Sequence, residues 1–223
     1  HQATMKLTRR DFNRLLFAGL AGAALPVSSA PPPLAEGRDY EPIVPALPGE
    51  SPGRIEVLEF FSYGCPHCKD FHPLVMAWAK KLPRDVVFRR VPVSFGRAAW
   101  ANLGRLFHSL EATGDLARLD DSAFRAIHEE RTNLYTRDAI LAWVKRQGVD
   151  QKRFTDAFES FGINTRLARD EQLVKNYKVQ GVPLLTVGGR YAVTGQAARS
   201  LADPLPIADG LIARARGDGR ARR

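Results

Sequence analysis

The stretch Ile55-Glu56-Val57-Leu58-Glu59-Phe60-Phe61-Ser62-Tyr63-Gly64-Cys65-Pro66-His67-Cys68 decides how this chain is read. Ile55 to Phe61 is β-rich and mostly apolar, the pattern of a buried central strand, and Ser62-Tyr63-Gly64 is a turn signal. Beyond it Phe71, Leu74, Val75, Trp78 and Leu82 recur at helical spacing. Pro66 suits the first position of that helix, where a missing N–H costs nothing and the fixed φ is already helical. Cys65 is therefore expected at the N-cap and Cys68 one turn into the helix. Pro73 is expected to kink the helix without ending it, the apolar pattern running on to Leu82.

This placement makes the two cysteines unequal. The sulfur of Cys65 faces unpaired backbone N–H groups and the positive end of the helix dipole, which favour thiolate over thiol. His67 adds a second stabilising partner. Cys68 points inward, so the expectation is an exposed, acidic Cys65 and a shielded Cys68. Stabilising the thiolate of the reduced form makes the disulfide a stronger oxidant. A C-x-x-C is also half of a zinc site, and His67 and His72 lie near. However, His67 sits between the cysteines, and no second C-x-x-C or H-x-x-H follows, so no metal is expected. A four-residue disulfide loop constrains the unfolded chain little, which argues against a purely structural role. Glu59 has two readings. It is either an inward acid that carries protons to and from Cys68 through water, or an acid at a strand end that reaches solvent.

The rest of the 223-residue chain frames this motif. Its 44% hydrophobic content, with 12 Phe, fills a core and excludes a mainly disordered chain. Two cysteines exclude a disulfide-rich scaffold or a four-Cys zinc site. The formal charge of +9 gathers at the ends. Lys6, Arg9, Arg10 and Arg14 stand against Asp11, and Arg214, Arg216, Arg220, Arg222 and Arg223 against Asp218. Residues 31–213 keep only a slight positive excess, so no nucleic-acid surface is expected.

Residues 1–30 read as an export signal, with Met5 as the expected biological start. A basic stretch precedes the apolar run Leu15 to Val27, and Ser28-Ser29-Ala30 predicts cleavage after Ala30. The run is too short for a spanning helix. Thr8-Arg9-Arg10-Asp11-Phe12 resembles a twin-arginine signal; an ordinary secretory signal that contains two arginines remains the alternative. Either destination permits a disulfide. Residues 31–53, rich in Pro and Gly, form an extended lead-in in which Tyr40 to Ile43 make a short edge strand.

Val86 to Val93 predicts a second strand, edge-like or interrupted at Pro92. From Arg97 to Tyr177 the pattern is helical, with stripes at Trp100, Leu103, Phe107 and Leu110, at Leu141 and Val144, and at Phe154, Phe158 and Phe161. Gly114, Gly148 and Gly162 punctuate these helices. His108 and His128 read as surface or packing residues, and Trp100 and Trp143 as core. Val182-Pro183 opens a strand, and a cis bond is expected before Pro183, where the lost N–H is harmless. Gly188-Gly189 reads as a two-residue hairpin. A final helix spans Asp203 to Arg216 and buries Ile207, Leu211 and Ile212.

Strand, Cys65-Pro66-His67-Cys68, helix, strand, helical insertion, Gly181-Val182-Pro183, hairpin and helix together resemble the DsbA family of exported thiol:disulfide interchange proteins. The resemblance implies an α/β thioredoxin-like fold over residues 54–96 and 177–216, a helical insertion over 97–176 and a basic tail over 217–223. It implies that Cys65 is the nucleophile and Cys68 the resolving thiol. His67 would tune the thiolate, Glu59 assist proton transfer, and Pro66, Val182 and Pro183 line the substrate groove. Arg90 matches the place where some members pair a basic group with the buried acid. Tyr63-Gly64 replaces two aromatics of some members, which leaves the groove shape beside Cys65 open.

Reduced exported proteins are the implied substrates, and a DsbB-like membrane quinone oxidoreductase the implied reoxidant. A monomer working in the periplasm, with no cofactor beyond the Cys65–Cys68 disulfide, is the expectation. Within the same chemistry the alternative is a reductase or isomerase, although no dimerisation domain precedes the motif. From another class, the alternative is a non-catalytic thiol or metal-binding module.

Overall fold

The computed structural model describes residues 33–194 and 199–220. The expected export signal and its cleavage point at Ala30 lie outside the described residues. Among those described, no helix is long and apolar enough to cross a membrane.

Five strands form one sheet in the order β1-β5-β4-β2-β3: β1 Tyr40–Pro42, β2 Ile55–Phe61, β3 Val86–Pro92, β4 Leu184–Val187 and β5 Tyr191–Val193. The strands β2 and β3 run parallel, joined by helix α1, Pro66–Ala79. The other pairings are antiparallel. Between β3 and β4 come α2 Ala98–Thr113, α3 Leu116–His128, α4 Arg137–Arg146, α5 Gln151–Phe158 and α6 Phe161–Asn176, and the chain closes with α7 Pro204–Arg220. This is a thioredoxin-type fold with a helical insertion.

The near-continuous apolar run of β2 is explained by its two buried faces. Val57 packs with Phe71, Val75, Val187 and Leu211 under α1 and α7. Phe61 packs with Cys68, Leu103, Phe107 and Phe124 among the insertion helices. Leu58 and Phe60, on the opposite face, meet Val174, Tyr177 and Val179. The edge positions of β1 and β3 suit their prolines, since Pro42 and Pro92 lack an N–H for a second neighbour.

Several local expectations need correction. Helix α1 runs through Pro73 but stops at Ala79, short of Leu82, because Pro83 disfavours helical backbone at the residue before it. Gly162 lies within the first turn of α6, because the Ser160 hydroxyl caps that helix by accepting from the Ile163 N–H. The Phe154 and Phe158 stripe does not carry across that new start, so Phe161 is 84% exposed. The hairpin loop is Gly188-Gly189-Arg190, with Val187 paired to Tyr191. Both glycines have positive φ, and a Cβ on Gly189 would meet the Leu47 carbonyl oxygen at 2.0 Å. The basic tail is helical up to Arg220, with Asp218 accepting from the Tyr191 hydroxyl at 2.7 Å and Arg216 bonded to Asp85 at 2.6 Å.

Candidate active site

The β2–α1 junction delivers the cysteines. Cys65 takes extended backbone at the N-cap, Pro66 occupies the first turn, and the Cys65 carbonyl accepts from the Lys69 N–H at 3.1 Å. Both thiols are free. The Cys65 thiol donates to the Val182 carbonyl at 3.4 Å, and Val182–Pro183 is a cis peptide bond. The sequence places these two segments 117 residues apart; the sheet brings them together.

Cys65 is less open than expected. It is 6% exposed against 1% for Cys68, because Val182 and the turn cover it. The chemical asymmetry is nevertheless large. A hydrogen bond from the Cys68 thiol lowers the Cys65 pKa to about 6 against the opposing effect of burial. The backbone N–H groups of Cys68 and His67 and the His67 charge add to that hydrogen bond. Burial, with Cys65 beside it, drives the Cys68 thiol far upward. His67 itself is exposed beside the pair.

Next to Cys65 lies a cavity of about 450 Å³, lined by His67, Phe71, Val182, Pro183, Leu201 and Pro204. On the other side of the turn, a Cβ on Gly64 would stand 2.7 Å from Trp100 Nε1. Glycine there lets the Trp100 ring lie against the turn, so Trp100 is partly buried beside the site instead of deep in the core like Trp143. Tyr63 turns inward and is 1% exposed.

Beneath the cysteines is a buried ionic cluster. Glu59 and Arg90 are register neighbours on β2 and β3, so their side chains share a face. Arg90 donates from Nε to Glu59 Oε2 at 2.9 Å and from Nη1 to Asp120 Oδ2 at 2.6 Å. Its guanidinium lies 3.8 Å over the Phe61 ring. Tyr63 donates to Asp120 Oδ1 at 2.6 Å, and His72 Nε2 stands 2.9 Å from Asp121 and 3.5 Å from Asp120. Burial raises the Glu59 pKa even with Arg90 opposing. Glu59 is 0% exposed, so of its two readings the acid that reaches solvent is excluded. Arg90 is thus paired with the buried acid Glu59 in this chain.

Sequence reasoning missed Asp120, Tyr63, His72 and His128 at this site. His128 Nε2 lies 2.7 Å from the Tyr63 carbonyl and ties the turn to α3. His108 is a packing residue, buried and 2.5 Å from Asp170. Tyr63 and His72 flank the motif without a pattern that marks their role, and Asp120 and His128 reach the site together from α3.

The family model for the DSBA-like thioredoxin domain matches residues 56–203. The thiol:disulfide interchange protein DsbA of Bordetella parapertussis is 40% identical over 207 residues, spanning 92% of this chain and 97% of that protein. The protein of the same name from Azotobacter vinelandii is 37% identical over 204 residues, or 89% and 95% of the two chains. Among solved structures, Pseudomonas aeruginosa DsbA superposes with a TM-score of 0.80 at 35% identity, covering 84% of this chain and 97% of that one.

Proposed function

The chain belongs to the DsbA family and is a thiol:disulfide oxidoreductase acting on substrate proteins, and within that activity we propose that it donates the Cys65–Cys68 disulfide to reduced exported proteins during their folding. The observation that carries this reading is the placement of the two sulfurs: Cys65 sits beside the Val182 carbonyl at the helix N-cap, which favours its thiolate, and Cys68 is buried at 1% exposure, which disfavours its own. A stabilised Cys65 thiolate is a good leaving group and favours the reduced pair, so the disulfide gives itself up readily.

In the proposed mechanism a substrate thiolate attacks Cys65 Sγ. The Cys65–Cys68 bond breaks, and its electron pair leaves on Cys68. Glu59, holding a proton in its buried site, supplies one to Cys68. A second substrate thiolate then displaces Cys65, whose departing thiolate is held by the N–H groups of His67 and Cys68. Two substrate thiols become one disulfide, and the cysteine pair takes up two electrons. His67 tunes the Cys65 thiolate. Pro66, Val182 and Pro183 line the groove, and the Val182 carbonyl next to Cys65 offers backbone pairing to an extended substrate. The work is proposed for the periplasm, by a monomer, after removal of residues 1–30, with a DsbB-like membrane quinone oxidoreductase restoring the disulfide. The redox couple is the cysteine pair itself, with no added cofactor or metal.

Mixing the oxidised protein with a reduced, unfolded, disulfide-requiring protein tests the reading. Stoichiometric loss of substrate thiols is expected, together with a pair that stays reduced even when glutathione is mostly oxidised. A pair that remains oxidised in mostly reduced glutathione would make it a reductase. Retained stoichiometric metal without thiol transfer would make it a binding module.

A further inference from the structure

The ionic cluster contains one cation and two carboxylates that compete for it. Arg90 is 8% exposed and divides its donors between Glu59 and Asp120. The competition is unequal. Both oxygens of Asp120 accept hydrogen bonds, from Arg90 and Tyr63. Glu59 uses Oε2 alone, while its buried Oε1 has no partner, and Arg90 Nη2 is likewise buried without one. Two buried carboxylates facing one guanidinium leave one negative charge uncompensated, which burial penalises. The carboxyl with the free oxygen is the one placed to carry a proton.

We propose that Asp120, delivered by the helical insertion, is a positioning residue of the exchange reaction: by holding Arg90 it leaves Glu59 free to keep the proton that Cys68 takes up when the disulfide opens. The inference rests on the function proposed above. The other groups are Cys68 from α1, which Glu59 helps to push upward, Tyr63 from the turn and His72 from α1, both against Asp120, and the exposed Asp121 from α3 behind His72. Burial, which dominates the upward shift of Glu59, acts in the same direction. With Asp120 neutralised, the whole Arg90 charge falls to Glu59, which then loses its proton more readily.

The test is the rate at which reduced glutathione opens the oxidised protein, divided by the glutathione thiolate fraction and followed against pH. In the disulfide neither cysteine titrates, so a limb that survives in His67→Gln reports the cluster. The corrected rate should fall as pH rises through the Glu59 midpoint, and Glu59→Gln should abolish that limb. Asp120→Asn should move the midpoint down by about one pH unit, the size expected when a carboxylate gains an opposite charge. Tyr63→Phe, which keeps the ring but loosens Asp120, should move it the same way by less. His72→Gln should leave the limb in place; its loss there would assign the limb to His72 and overturn the inference. An unmoved midpoint in folded Asp120→Asn and Tyr63→Phe, even with lowered thermal stability, would also overturn it. Failure of the wild-type protein to exchange at all would instead overturn the proposed function.

Discussion

Around Cys65 the protein offers backbone: the His67 and Cys68 N–H groups at a helix start, the Val182 carbonyl, and an apolar cavity alongside. Under Cys68 it offers a buried polar cluster, Glu59, Arg90 and Asp120, with the Arg90 guanidinium against the rings of Phe61, Phe107 and Phe124. The first region stabilises a thiolate where a substrate arrives. The second penalises a thiolate and keeps a proton close. The difference teaches that the helix dipole is not enough to separate two thiols one turn apart; what lies under the second one matters as much.

The sharpest way to break the comparison is to remove each sulfur in turn. Cys65→Ser is expected to lose all exchange. Cys68→Ser should still form the first mixed disulfide through Cys65 and then accumulate it, lacking an intramolecular escape. Non-reducing gels after mixing with a disulfide-bonded substrate protein check this: the Cys65 thiolate attacks the substrate disulfide, one substrate sulfur leaves as a thiolate, and the mixed disulfide stays on the gel. Equal trapping by both variants would contradict the roles assigned to the two sides.

A smaller effect is expected from the floor. Arg90→Met leaves two buried carboxylates without their cation and should cost about 3–5 kcal/mol in denaturant unfolding. Combining it with Asp120→Asn should recover part of that loss, since Asp120 is the carboxylate left uncompensated. A loss near zero in the single variant would mean that the cluster is hydrated and the floor is not closed.

The smallest change is expected from Tyr63→Phe, which removes one hydrogen bond to Asp120 while keeping the packed ring. Its cost should be about 1.5–3 kcal/mol, the range for a hydrogen bond to a charged group. A neutral result would place the weight of the cluster on Arg90 alone.

The open side was legible in the sequence, because its parts are local. Pro66 after Cys65 fixes the helix start, the spacing of Phe71 and Val75 fixes its buried face, and Val182-Pro183 carries its own signature. The cover over Cys65 was not, since Val182 reaches it from 117 residues away. The floor was half legible. Glu59 stands out as an acid on an apolar strand, and its register with Arg90 follows once β2 and β3 pair. Asp120 did not, for it lies beside Asp121 and a helical pattern of charges reads as a solvated face. Only the docking of α3 against α1 turns one of the two inward, to meet Tyr63 across 57 residues. The end of α1, the start of α6 and the hairpin loop were misread, because Pro83, the Ser160 cap and Arg190 act through single-residue geometry that periodicity does not resolve.

The measurement closest to the central claim is the ultraviolet thiolate absorbance of the reduced protein followed against pH. One thiolate should appear with a midpoint near the lowered value of about 6. It should persist in Cys68→Ala, shifted upward because the largest lowering contact is the Cys68 thiol, and vanish in Cys65→Ser. Because this pKa is lowered, the reduced fold should gain stability from Cys65 as pH rises from about 6 to the ordinary thiol value of 9, and lose it as pH falls through about 6. A wild-type midpoint near 9, or a low-pH transition that survives in Cys65→Ser, would contradict the account.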